Sequence, residues 1–237
     1  MRPGHMRLRA VRLERGAARR FFAPPRKGLM PHRSVPGARL ARAILRHPHR
    51  RADHMHMAAP VYYTADMVRA LPDDGNRYET VHGELLVTPA PVAPHQYVIR
   101  ELLVRLHAYL KRHPVGQVFS SPADISWASD VLVQPDVFVV AMDEARTLEW
   151  TRMKTLLLAI EVLSPSTRRS DRFTKRRVYQ EFGVLCYWMV DLEERVVEVW
   201  TPGATIPAIE RERLRWQPAG APEPQVMPVS EILPPLK

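Results

Sequence analysis

Two acidic residues stand where strands would bury them. Glu161 interrupts the most apolar run of the chain, Leu156-Leu157-Leu158-Ala159-Ile160-Glu161-Val162-Leu163, the pattern of a strand covered on both faces. Burying an ionised carboxylate costs several kcal/mol unless a cation or metal accompanies it. Asp136 stands in a second β-rich run, Val131-Leu132-Val133-Gln134-Pro135-Asp136-Val137-Phe138-Val139-Val140. On neighbouring strands the two acids would share one hard divalent cation, Mg2+ or Mn2+, through oxygen ligands. Strand alternation is expected to put Gln134 on the same face as Asp136. Beyond Glu161 come Arg168, Arg169, Arg172, Lys175, Arg176 and Arg177, opposed by Asp171 alone. That cluster predicts a phosphate-binding surface, with Arg168, Arg169 and Arg172 as its contacts.

The elements that must position these residues lie in the second part of the chain. Of 237 residues, 35 are Lys or Arg and 25 Asp or Glu, a formal net charge of +10. Residues 1–56 hold 15 of the basic residues against Glu14 and Asp53, so the remainder carries 20 basic against 23 acidic residues and is mildly acidic. The overall charge therefore does not by itself make the domain a polyanion binder. The leader is expected to be disordered. Three readings of it stand: an over-extended start with translation from Met55 or Met57, a nucleic-acid-binding arm, and a transit peptide, which the scarcity of Ser disfavours. No apolar run reaches bilayer-spanning length. The single Cys186 excludes an internal disulfide and fits a reducing cytoplasm.

After Thr64 a short helix is expected over Ala65 to Ala70, broken by Leu71-Pro72-Asp73-Asp74-Gly75. Residues 77–81 and 84–88 flank His82-Gly83 as a hairpin. Apolar residues at Val98, Leu102, Leu106, Tyr109 and Leu110 predict an amphipathic helix from His95 to His113. Strands are expected next at 117–120, 124–127 and 131–140, then the Glu161 strand. Ser170 or Asp171 is expected to cap a helix to Phe182, stopped by Gly183. Residues 186–191 and 196–200 read as a closing hairpin. The order is that of an α/β layer arrangement. Residues 203–237, rich in Pro, read as a peripheral tail, with Val226 to Leu233 docking on the domain.

Taken in order, Arg77-Tyr78-Glu79, Gly83-Glu84, Pro89-Ala90-Pro91 with His95-Gln96, Gln134-Pro135-Asp136, Glu161-Val162-Leu163-Ser164-Pro165-Ser166-Thr167, Asp171 with Lys175 and Tyr179, Gly183-Val184 and Tyr187-Trp188-Met189-Val190-Asp191 resemble the Uma family of restriction-endonuclease-like proteins, over roughly residues 60 to 202. The resemblance implies an α/β, restriction-endonuclease-like mixed sheet flanked by helices, with an N-terminal hairpin, in the PD-(D/E)XK superfamily. It makes 57–202 the nuclease-like domain. Asp136 would open the signature and Glu161 would be its second acid. Leu163 occupies the place of the expected lysine, which the family moves to the next helix, at Lys175; its long stem lets a helical ammonium reach a strand end. His95 and Glu79 match family positions near the same cleft, as an added ligand or proton-transfer group.

The activity implied by the resemblance is that of a cytoplasmic Mg2+-dependent endonuclease acting on DNA, as a homodimer, with Asp136 and Glu161 on the metal and Lys175 stabilising charge. A catalytically inactive nuclease-fold accessory that only binds nucleic acid is the alternative. A paired-carboxylate sugar hydrolase is disfavoured by the positive charge near the acids and the scarcity of flanking aromatics.

Overall fold

The computed structural model describes residues 60–235; the leader expected over residues 1–56 lies outside the described residues. Helix α1 (Ala65–Arg69) begins where Thr64 Oγ1 accepts from the Met67 backbone N–H, 3.2 Å. Strands β1 (Arg77–Val81) and β2 (Glu84–Thr88) form the expected hairpin. Its turn residues His82 and Gly83 both have positive φ, 49° and 81°, the geometry of a tight two-residue hairpin turn. A Cβ at Gly83 would stand 2.2 Å from the Tyr62 ring, so only glycine fits.

Helix α2 (Ala93–Arg112) has a proline in its first turn and buries Val98, Leu102, Leu106 and Tyr109 along one stripe, each such side chain contributing about 1.5–3 kcal/mol of burial. Then come β3 (Gly116–Ser120), β4 (Ile125–Ala128), β5 (Val131–Val133) and β6 (Val137–Ala141). The run expected as one strand over 131–140 is thus two strands in two sheets. Proline offers no ladder donor, and Ser121 Oγ donates to the carbonyls of Gln134 and Pro135 at 2.9 and 2.6 Å, which holds the kink. The consequence for Gln134 is that its Nε2 donates to Asp124 Oδ1, 3.0 Å; it does not share a strand face with Asp136.

Beyond α3 (Met142–Ala145) and a 3-10 turn at Trp150–Arg152 lies β7 (Leu156–Val162), buried along nearly its whole length. Helix α4 spans residues 168–181. Its stretch Ser170–Lys175 is π-helical and Arg176–Glu181 is α-helical. Ser170 and Asp171 are inside this helix rather than capping it. Ser164 organises the turn that leads into it: its Oγ accepts from the Thr167 N–H at 3.2 Å and its carbonyl from the Arg168 N–H at 2.9 Å. Gly183, φ 71°, ends the helix as expected.

Strands β8 (Tyr187–Asp191) and β9 (Val196–Trp200) come next, then β10 (Ala208–Glu210), β11 (Arg213–Trp216), β12 (Gln225–Pro228) and α5 (Val229–Ile232). The main sheet runs β10-β9-β8-β7-β6-β3; β7 and β8 are parallel and its other neighbours antiparallel. A second sheet runs β2-β1-β5-β4, and β11 pairs with β12. This is the expected α/β mixed sheet with helices and an N-terminal hairpin. The C-terminal stretch is more than a peripheral tail: Leu214, Trp216, Met227, Ile232 and Leu233 join the core beneath α2, so the packed unit extends past residue 202. Among the described residues no helix is long and apolar enough to cross a membrane.

Candidate active site

Four carboxylates are buried together at the junction of the two sheets. Glu79 comes from β1, Asp136 from the kink before β6, Glu161 from β7 and Asp171 from the π-helical turn of α4; all are at most 2% exposed. Antiparallel register sets Val137 opposite Ile160, which delivers Asp136 to the end of β7, where its Oδ2 accepts from the Val162 N–H at 2.9 Å. Arg77 Nη1 donates to Asp136 Oδ1 at 2.8 Å, and His95 Nε2 lies 3.0 Å from Oδ2. Arg77 and Glu79 are two apart on β1, the spacing that shares a strand face.

Lys175 is the centre of the other half. Its Nζ is 2.8 Å from Glu79 Oε2, 3.1 Å from Glu161 Oε1 and 3.5 Å from Asp171 Oδ1, and the residue is 1% exposed. Tyr179 Oη donates to Glu161 Oε1 at 2.8 Å. Asp171, Lys175 and Tyr179 succeed one another at four-residue intervals, so α4 presents all three from one face. Glu79 Oε1 accepts from the Gln134 N–H at 2.7 Å, tying the hairpin to the kink that carries Asp136.

The electrostatics are those of an over-filled anionic pocket. Burial lifts the Asp136 carboxyl, but the His95 hydrogen bond and the Arg77 charge outweigh it and hold the group well below the usual carboxylate range. Burial pushes Glu161 well up; Lys175 pulls against it while Asp136, Asp171 and Glu79 add to the push. Burial also raises Asp171, to about 6, against the pull of Lys175. Burial favours a neutral Lys175, but Glu161, Glu79 and Asp171 raise it well above the ordinary lysine value. Four carboxylates thus face two fixed cations, Arg77 and Lys175.

With all four ionised the cluster would carry an excess of two negative charges, which a divalent ion would neutralise, and its donors are hard oxygens. Glu161 directs only Oε1 to Lys175 and Tyr179; among the described residues Oε2 makes no hydrogen bond. Asp136 and Glu161 thus offer oxygen donors of the kind that Mg2+ or Mn2+ takes, with Oδ1 of Asp136 held by Arg77 and Oδ2 by His95 and the Val162 N–H. Among the described residues no three His, Cys, Asp or Glu side chains converge with metal-ligand geometry, so water and substrate oxygens would fill the rest of its shell.

All five expected site residues, Asp136, Glu161, Lys175, His95 and Glu79, belong to this one cluster. Arg77, Asp171 and Tyr179 were missed as site groups. Their signal was the period: two residues before Glu79 on a strand, and four to either side of Lys175 on a helix. The expected phosphate contacts divide. Arg168 donates to Asp191 at 2.9 and 3.2 Å and to Glu193 at 2.7 Å, and Arg172 to Asp191 at 3.0 Å and to Glu198. Both serve to neutralise the fully buried Asp191 rather than await a phosphate. Arg169 stays exposed. An open cleft of about 620 Å³ reaches the cluster at Arg77, His95 and Asp136, with Ile99, Leu103 and Pro122 among its walls.

Residues 65–236 match the sequence model of the Uma2 family, described as "Putative restriction endonuclease". Among solved structures, a "putative nuclease belonging to DUF820" from Anabaena variabilis ATCC 29413 is similar, with a TM-score of 0.61 and 19% identity over 72% of this chain and 97% of that one. No curated protein matches.

Proposed function

Since this chain belongs to the Uma2 family, we propose that it is an endonuclease hydrolysing DNA phosphodiester bonds with a divalent ion, Mg2+ or Mn2+, held by Asp136 and Glu161. The observation that supports this most directly is the meeting of Asp136, Glu161 and Lys175 in one buried cluster with two carboxylates in excess. Bound there, the ion would acidify a water for attack and offset phosphate charge.

The protein groups divide the remaining work. Arg77 and the Val162 N–H fix the Asp136 carboxylate in its ionised form. Tyr179 and Lys175 fix Glu161 through one oxygen. Lys175 keeps its proton, so it acts as a positive charge toward the pentacovalent phosphorus and not as a base. His95 lines the cleft and its Nδ1 is buried without a partner among the described residues; in this reading it accepts or returns a proton. Glu79 anchors Lys175 through Oε2, 2.8 Å from Nζ. A cytoplasmic location and action as a homodimer, each fold unit offering one site, belong to the same reading.

Plasmid nicking by the purified protein with and without Mg2+ tests it. Glu161→Gln and Asp136→Asn are each expected to lower the rate about 1,000-fold or more, the equivalent of about 4 kcal/mol. Metal-independent cleavage, or cleavage indifferent to Glu161→Gln, would sink the assignment. Salt-sensitive DNA binding with no metal-dependent nicking would favour the silent accessory instead.

A further inference from the structure

Helix α4 has two working faces. One turns Asp171, Lys175 and Tyr179 into the buried cluster; the opposite flank exposes Arg169, Phe173 and Arg177, again at four-residue intervals. Phe173 is 56% exposed. The basic residues of this helix are not equivalent. Arg168 and Arg172 are spent on Asp191, and Arg176 stacks on Trp200, its guanidinium carbon 4.5 Å from the ring centroid. Among the described residues, Arg169 and Arg177 make no ion pair and no side-chain hydrogen bond. These two and Phe173 line an open groove of about 710 Å³ between α4 and β2, together with the hydroxyls of Ser166, Ser170 and Thr174 and one carboxylate, Glu84.

This groove neighbours the candidate active site. Ser166 also lines a smaller pocket whose walls include Arg77 and His95, and those two residues line the cleft at Asp136. The stripe and the cleft at Asp136 thus lie to either side of a small pocket that shares Ser166 with the one and Arg77 and His95 with the other.

We infer that this stripe is a single-strand binding track, Arg169 and Arg177 taking two phosphates of one unpaired DNA strand and Phe173 stacking a base between them. The inference deepens the nuclease reading and rests on it. Guanidinium groups without carboxylate partners suit backbone phosphates. An exposed aromatic between them suits the face of a base, which only an unpaired strand can present. The arginines stand eight positions apart, a span of roughly 12 Å along an ideal α-helix and somewhat less through the π-helical stretch Ser170–Lys175, room for a nucleotide between them.

Fluorescence anisotropy of a labelled single strand and of the matching duplex, in chelating buffer so that neither is cut, tests the track with the full chain. Phe173→Ala, a change at an exposed position, should weaken single-strand binding about tenfold and leave duplex binding nearly unchanged. Arg169→Gln with Arg177→Gln should lower the slope of log affinity against log salt by about 1.4, two single-strand phosphate contacts. Unchanged single-strand affinity and slope in these variants, with cleavage still metal- and Glu161-dependent, would overturn the track and leave the nuclease reading standing. Equal loss of duplex and single strand on Phe173→Ala would overturn the stacking role, and so the track. A change of oligomeric state on Phe173→Ala would mark a protein interface instead and overturn it too. Absence of any nucleic-acid binding by the wild type, without metal-dependent cleavage, would overturn both readings together.

Discussion

Replacing Asp171 by Asn should change how stability depends on pH. Asp171 is raised from 3.8 to about 6 by burial, with Lys175 opposing and the other carboxylates adding. A gap of that size corresponds to about 3 kcal/mol between the two protonation states. The folded value is the raised one, so the protonated acid is favoured by folding: the stabilisation is complete below about 3.8 and is lost as pH rises through about 6. At neutral pH the wild type therefore carries a buried charge that the Asp171→Asn variant would lack. Lys175 keeps Glu79 and Glu161 at 2.8 and 3.1 Å, so the substitution does not strand it. Urea unfolding at a series of pH values, with chelator present, measures the difference. Asp171→Asn should gain on the wild type by about 1 kcal/mol between pH 5 and pH 7, and by about 3 kcal/mol across the full range from pH 3 to pH 8. Parallel stability curves for the two proteins would refute the reasoning, because they would mean that Asp171 does not change its proton affinity on folding.

Three further outcomes are expected. Mg2+ at 100 times its dissociation constant should stabilise the wild type by about 2.7 kcal/mol in thermal unfolding, and Asp136→Asn or Glu161→Gln should abolish the gain; an unchanged gain would place the ion elsewhere. Trp216→Ala, which empties a buried position against Tyr109 and Trp188, should cost about 3–5 kcal/mol in denaturant unfolding; a loss within error would show that the C-terminal strands are dispensable to the core. Arg168→Gln should destabilise the fold by removing one of the two guanidinium partners of Asp191, by about 1.5 kcal/mol, while leaving the salt slope of DNA binding unaltered; a lower slope would return Arg168 to phosphate contact.

The candidate chemistry was legible because charge in an apolar run is costly and therefore conspicuous. Glu161 within Leu156–Val162 could be noticed from hydropathy alone. Lys175 could not, since a lysine among arginines looks like solvated helix surface; it came from resemblance, and the structure puts it 1% exposed among three carboxylates. Asp171 looked like a lone counter-charge to the arginines. The π-helical turn Ser170–Lys175 carries no pattern that distinguishes it from an α-helix, and it is one setting in which functional side chains are re-aimed.

Local chemistry by itself determined the elements: the His82-Gly83 hairpin, the amphipathic stripe of α2, the buried β7 and the Gly183 stop each arise from side-chain period or backbone freedom within a few residues. Only tertiary structure decided which sheet each half of 131–140 enters, that residues 208–233 complete the core, and which arginines are spent on Asp191 and which face the groove. Those outcomes depend on partners distant in the chain, such as Ser121 for the kink, Tyr109 for Trp216 and Asp191 for Arg168, and a local pattern holds no information about a neighbour that only folding supplies.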